Sequence, residues 1–83
     1  MITKENIKAR ILSIMKGMGI EESSILKTDV IKNLGFDSLD MAELIVDIEK
    51  EFNIIISDDE AEKINNIEGA VKAVFDKVKM IKP

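Results

Sequence analysis

The hydroxyl best placed for chemistry lies in the run Gly35-Phe36-Asp37-Ser38-Leu39. Gly35 permits a tight turn, and Asp37 or Ser38 then starts a helix. At a helix start the backbone N–H groups are unpaired and the macrodipole is positive. A phosphate on Ser38 can therefore be held there, as anions commonly are. An aspartate and a serine ahead of an apolar run also make an ordinary N-cap, and on these residues alone that is the simpler account. Carboxylates crowd the same region. From Asp37 to Glu62 ten acidic residues stand against one base, Lys50, while the remainder carries six acids and eleven bases. A solvated acidic surface is the plain reading, but the concentration in one stretch suits a docking face for basic partners. The net charge of −4 disfavours nucleic acid and anionic membrane. The chain has no histidine and no cysteine. Ser-His and Cys-His pairs, the common zinc sites and disulfides are thereby excluded. The acids also lack the glycine-centred twelve-residue loop of a calcium site, so no metal site is expected.

Four helices must position these groups. Thr3 can cap the first, whose face reads Ile7, Ile11, Ile14 and Met18. Gly17 and Gly19 end it. A second helix is expected from about Ser38 to Phe52. A short third follows Ser57, since Ser57-Asp58-Asp59-Glu60 fits a capping box. Asn65 or Asn66 can cap a fourth, with Ile67, Val71, Val74 and Val78 on one stripe and Ala70 beside them. Phe52-Asn53-Ile54-Ile55-Ile56 has strand propensity but no partner strand, and reads as a tucked connection. The connection from Gly17 to Phe36 is long for so small a domain, and such loops are often functional. Ile20, Ile25, Leu26, Val30, Ile31, Leu34 and Phe36 can pin it to the bundle, and Asp29 can cap a short turn within it. The fold class is all-α: a small four-helix bundle of three main helices and one short one, with a long first loop. Residues 1–83 form one domain, expected to act as a monomer. No apolar run exceeds three residues, so neither a secretory signal nor a membrane span is expected, and a cytoplasmic location is.

The helix from Ser38 to Phe52 has three faces. With Leu39 as zero and about 100° per residue, Met41, Leu44, Ile45, Ile48 and Phe52 form a core face. Asp40, Glu43, Asp47 and Glu51 form an acidic stripe. Leu39 and Val46 fall beside the acids and away from the core. Either loop residues cover them, or they make a small apolar contact framed by carboxylates next to Ser38.

Beyond the Asp-Ser-Leu core, a longer pattern is present. It runs through Leu34-Gly35-Phe36-Asp37-Ser38-Leu39-Asp40-Met41-Ala42-Glu43-Leu44, Glu49-Lys50-Glu51-Phe52 and Ile56-Ser57-Asp58-Asp59-Glu60-Ala61-Glu62-Lys63-Ile64. This pattern closely resembles the acyl carrier proteins, and most of all the free-standing kind of bacterial and organellar fatty acid synthesis. The resemblance implies that Ser38 receives 4′-phosphopantetheine from coenzyme A through a phosphopantetheinyl transferase. It implies that acyl chains are then held as thioesters on the arm's thiol, the only thiol in a chain without cysteine. It further implies docking by Asp37, Asp40, Glu43, Asp47, Glu49, Asp58, Asp59 and Glu62 on basic patches of acyl-transferring, condensing, reducing and dehydrating enzymes.

The pattern departs from the family at Asn33, where an acid is usual, at Lys50 within the acidic run, and at Ser57, where proline is common. Lys50 leaves open a dedicated pathway rather than the main synthase. Two other readings stay open: a carrier of peptidyl, polyketide or D-alanyl cargo, and an acidic helical adaptor without a prosthetic group. An enzyme is the least expected class, because nothing in the sequence suggests a sequestered carboxylate pair with separated pKa values.

Overall fold

The computed structural model describes residues 3–27 and 31–80. Among these, the order is α1 (Lys4–Gly17), α2 (Glu22–Lys27), a 3-10 turn (Ile31–Leu34), α3 (Ser38–Phe52), α4 (Asp58–Glu62) and α5 (Ile67–Met80). The four expected helices are α1, α3, α4 and α5, and the fold is an all-helical bundle. The long first connection is itself partly helical: it holds α2 and the 3-10 turn.

Each main helix begins or ends where its local chemistry dictates. The Thr3 hydroxyl accepts the Asn6 N–H at 3.1 Å and opens α1. At the other end Gly19 N–H reaches the Lys16 carbonyl at 3.0 Å and Ile20 N–H reaches Met15 at 3.2 Å. Those two bonds make a Schellman stop, which requires the left-handed φ of +97° that Gly19 supplies. Asn66 caps α5 by accepting the Gly69 N–H at 2.6 Å, which decides between the two candidate asparagines. At the end of α3, Asn53 turns left-handed at φ 55°, a conformation asparagine tolerates better than most residues.

The core is aliphatic. Ile7, Ile11 and Met15 of α1 are fully buried and pack between α3 and α5. Met15 takes the place expected for Ile14 and Met18, which are only half-buried. Residues 14 and 15 flank the axis of the stripe, and tertiary packing turned the helix toward the second. From α3 come Leu44, Ile48 and Phe52, and from α5 Ile67, Ala70, Val71 and Val74. Met41 and Ile45, expected in the core, sit half-buried at its edge.

The first connection is pinned by Ile25, Ile31 and Phe36, all buried, and by Ile31 N–H donating to the Asn65 carbonyl at 3.1 Å. Ile20 and Leu34 pack partly against the core. Asp29 and Val30 lie outside the described residues, as do the side chains of Leu26 and Asn33. The segment after α3 alternates as an extended chain does: Ile54 and Ile56 are buried and Ile55 is 80% exposed.

Leu39 and Val46 are 80% and 44% exposed, whereas Ile48 is 0% exposed. Truncating a buried side chain leaves a cavity, so Ile48→Ala is expected to cost about 2–5 kcal/mol, a large share of a small domain's stability. Leu39→Ala and Val46→Ala are expected to cost about half a kcal/mol or less. Thermal and denaturant melts of the three variants check this, and equal losses at all three would contradict the assigned core.

Candidate functional site

Gly35 and Phe36 deliver the chain to the start of α3. Gly35 adopts φ +82°, a turn that a side chain would strain, and the buried Phe36 ring anchors the next residue. Asp37 is then the N-cap. Its carboxylate accepts the Asp40 N–H at 2.9 Å, and the Asp40 carboxylate accepts the Asp37 N–H at 3.2 Å, closing a capping box. Ser38 is thereby the first residue inside the helix, with its side chain exposed. The cap role that Asp37 or Ser38 could have filled belongs to Asp37, and among the described residues the Ser38 hydroxyl has no hydrogen-bond partner. Met41 N–H donates to the Asp37 carbonyl. Among the described residues, the N–H groups of Ser38 and Leu39 find no acceptor, so two donors of the first turn remain unpaired at the helix start beside Ser38.

Ser38 stands at one end of an open groove of about 1110 Å³ between α3 and α4. Along α3 the groove is lined by Ser38, Met41, Ile45, Val46 and Glu49, a run of roughly 16 Å at the helical rise. Ala61 and Ile64 face it from α4 and the segment that follows, and Phe36 and Ile31 from the first connection. The apolar side chains inside and the carboxylates of Asp37, Asp58 and Glu62 at its edges make a surface that favours a chain with an apolar body.

Seven of the ten anticipated docking residues border one of two depressions, and Leu39, Asp40 and Asp59 border neither. Asp37, Val46, Glu49, Asp58 and Glu62 border the groove. Glu43 and Asp47 border a second, smaller depression with Lys50 and Glu51, floored by Ile14 and Met18 at the end of α1. Leu39, Glu43, Asp58, Asp59 and Glu62 are exposed, and Asp40 and Asp47 are half-exposed. Glu49 is turned inward. Its carboxylate accepts the Ile56 N–H at 2.8 Å, seven residues on in the chain. Lys50 is exposed beside this acidic stripe, and among the described residues it forms no ion pair. Among the described residues no three carboxylates converge as ligands for a metal ion.

Two features were not anticipated. Met41, Ile45, Ala61 and Ile64 line the groove; Ile45 falls at the edge of the core face, where a helical wheel could have placed it, whereas Met41 falls in the middle of that face and no wheel singles it out. The other is how α4 is held. None of its five residues is buried. Ser57 and Glu60 form the expected capping box, with Glu60 accepting the Ser57 N–H at 2.9 Å. Glu60 also pairs with Lys77 of α5 at 2.8 Å, a partner seventeen residues away that only the tertiary fold supplies. The Lys77 ammonium, with the Ser57 N–H behind it, lowers the Glu60 pKa to about 2 from an ordinary value near 4.5.

Comparison with known proteins adds to this geometry. Residues 9–74 match the family model described as "Phosphopantetheine attachment site". A protein of Cyanidium caldarium named "Acyl carrier protein" is 46% identical over 80 residues, covering 94% of this chain and 93% of that protein. Another of the same name, from Karelsulcia muelleri (strain GWSS), is 47% identical over 58 residues, covering 69% of this chain and 70% of that protein. Among the described residues no helix is long and apolar enough to cross a membrane.

A carboxyl with a lower pKa in the folded than in the unfolded chain stabilises the fold above its unfolded pKa. That contribution is lost as pH falls through the folded value. For Glu60 the window runs from near 4.5 down to about 2. Glu60→Gln is therefore expected to be less stable than the parent at neutral pH, with the gap closing as pH falls through that window. Circular-dichroism melts across the acid range measure it; a gap that stays constant would show that the Lys77 contact does not act through the ionised carboxylate.

Proposed function

The chain belongs to the acyl carrier proteins with a phosphopantetheine attachment site, and we propose that Ser38 is the residue that takes the arm. As a member of that family it is a carrier and not a catalyst, and its cofactor is covalent 4′-phosphopantetheine. The observation that supports Ser38 most strongly is its position: an exposed hydroxyl, released from capping by Asp37, in the first turn of α3 at the mouth of the groove.

The residues around it fit the group. The hydroxyl is accessible for a phosphodiester, the N–H groups of Ser38 and Leu39 and the positive end of α3 favour its negative charge, and the groove runs directly alongside. When attached, the arm supplies a thiol for thioester formation, which no side chain of this cysteine-free sequence can offer. The half-buried Met41 and Ile45 and the groove's other apolar side chains give an acyl chain a place to lie out of water.

Recognition, in this reading, rests on the acidic surface. Asp37, Asp40, Glu43 and Asp47 along α3, with Asp58, Asp59 and Glu62 on α4, attract enzymes that carry basic patches. These are the phosphopantetheinyl transferase and the acyl-transferring, condensing, reducing and dehydrating enzymes of fatty acid or related lipid synthesis, met in the cytoplasm. Leu39 and Val46, exposed beside those carboxylates, add an apolar contact next to Ser38. Lys50, exposed among the acids, sets a positive charge within this docking surface. Residues 1–83 act as one domain and as a monomer.

Two experiments test the assignment. Incubation with coenzyme A and a phosphopantetheinyl transferase is expected to raise the intact mass of the parent by one phosphopantetheine. Ser38→Ala is expected to gain nothing while melting near the parent, because alanine suits a helix and Asp37 still caps it. A mass increment surviving in Ser38→Ala would overturn the site. The paired change Glu43→Lys and Asp47→Lys is expected to slow arm transfer by about tenfold or more at low salt. Its rate should converge on the parent's as salt shortens the range of the charges; equal rates at every ionic strength would remove the acidic stripe from recognition.

A further inference from the structure

Glu49 is the point where the chain leaves α3. Its backbone carbonyl accepts the Asn53 N–H and, at 3.1 Å, the Ile54 N–H, which closes the last turn of the helix. Its side chain then reaches forward and accepts the Ile56 N–H at 2.8 Å. One residue thus ties three successive parts of the connection back to α3. The connection needs it. Ile54 and Ile56 are buried with the exposed Ile55 between them, so the backbone passes through partly buried ground where an unpaired N–H is costly. The next residue, Ser57, caps α4, so the place where the connection ends is the place where α4 begins.

The wall that depends on this tie has little else to hold it. A helix as short as α4 has marginal stability of its own, and none of its residues is buried. Its position therefore rests on two polar brackets, Glu49 at its approach and Glu60 with Lys77 along its body, besides the half-buried Ala61, which packs on the core, and the buried Ile56 and Ile64 that flank it. Glu49 also lines the groove, at the opposite end of the α3 wall from Ser38. The four ion pairs among the described residues all involve other carboxylates, so its hydrogen bond to Ile56 competes with no neighbouring cation there.

We infer that Glu49 is a positioning residue: it braces the connection after α3, and so holds the α4 wall of the groove beside Ser38, instead of serving as a docking charge. What it needs for this is an acceptor oxygen at the right distance, and a negative charge is secondary. The inference rests on the proposed role of Ser38 only for its functional readout.

Glutamine keeps an acceptor oxygen and removes the charge, while alanine removes both. The test compares Glu49→Gln and Glu49→Ala with the parent by amide hydrogen exchange and by the rate of arm transfer from coenzyme A across a salt series. A brace predicts that Glu49→Ala loses protection at Ile56 and in α4 by roughly tenfold or more, the scale of one hydrogen bond to a charged group. It also predicts slower transfer at every salt concentration, with Glu49→Gln restoring most of both. A docking charge predicts the opposite pattern: Glu49→Gln as slow as Glu49→Ala, the deficit confined to low salt, and protection at Ile56 unchanged in both. That result overturns the inference. If Glu49→Ala proves too unstable to assay, Glu49→Gln still decides, since a salt-sensitive deficit with intact Ile56 protection contradicts the brace. A parent that accepts no arm would contradict the role of Ser38, and the exchange data would still settle the role of Glu49.

Discussion

Helix α3 is buried along one side only, and the arrangement of the molecule follows from that. Leu44, Ile48 and Phe52 lock it against α1, whose Ile7, Ile11 and Met15 lie fully buried between α3 and α5. Burial of this kind is worth roughly 1.5–3 kcal/mol for each large aliphatic side chain, and it is what fixes the rotation of α3. Once that rotation is set, Ser38 and Leu39 emerge into solvent, Ile45 falls at the margin of the core, and Glu43 and Asp47 point away from it, while Met41 shares the core side but, in the first turn, stays half-buried at the groove. A groove forms where α3 would otherwise need a second neighbour as long as itself and has only the short α4.

The groove's second wall is held by different physics. Five residues cannot bury enough to order themselves, so caps and charge pairs do what the aliphatic core does elsewhere. Ser57 and Glu60 satisfy each other's backbone N–H groups, Lys77 fastens Glu60 to α5, and Glu49 takes the Ile56 N–H. Exposed ion pairs contribute little individually. A wall held by such contacts is therefore the part of the groove with the least free energy opposing displacement, while the wall that bears Ser38 is anchored in the core.

The charge distribution follows the same division. The acids gather from Asp37 to Glu62, on the elements that border the groove, and most bases lie on the remaining chain. Several of those bases are already engaged: Lys8 with Glu68, Lys16 with Glu22, and Arg10 with Glu51 while its guanidinium lies 5.5 Å from the Phe52 ring. Most of the acids on α3 and α4 have no such partner among the described residues, which leaves their field directed at solvent around Ser38.

Much of this was legible in one dimension, because it is local. Caps and stops depend on residues three or four apart, so Thr3, the Ser57-Glu60 box and the glycine stop after α1 could be read directly. The 3.6-residue period separated the core face of α3 from its acidic stripe and set Leu39 and Val46 apart. The run around Ser38 carried the family resemblance. What the tertiary structure alone decided was every pairing across distance. It chose Met15 over Ile14, because two residues flanking a stripe are distinguished only by what packs on them. It moved Met41 and Ile45 from the core to the groove, because only the position of α4 makes a groove there. It joined Glu60 to Lys77 and turned Glu49 toward Ile56. A carboxylate in a sequence is only an acceptor with a charge; whether it faces a partner protein or its own backbone depends on where the chain goes after the helix ends.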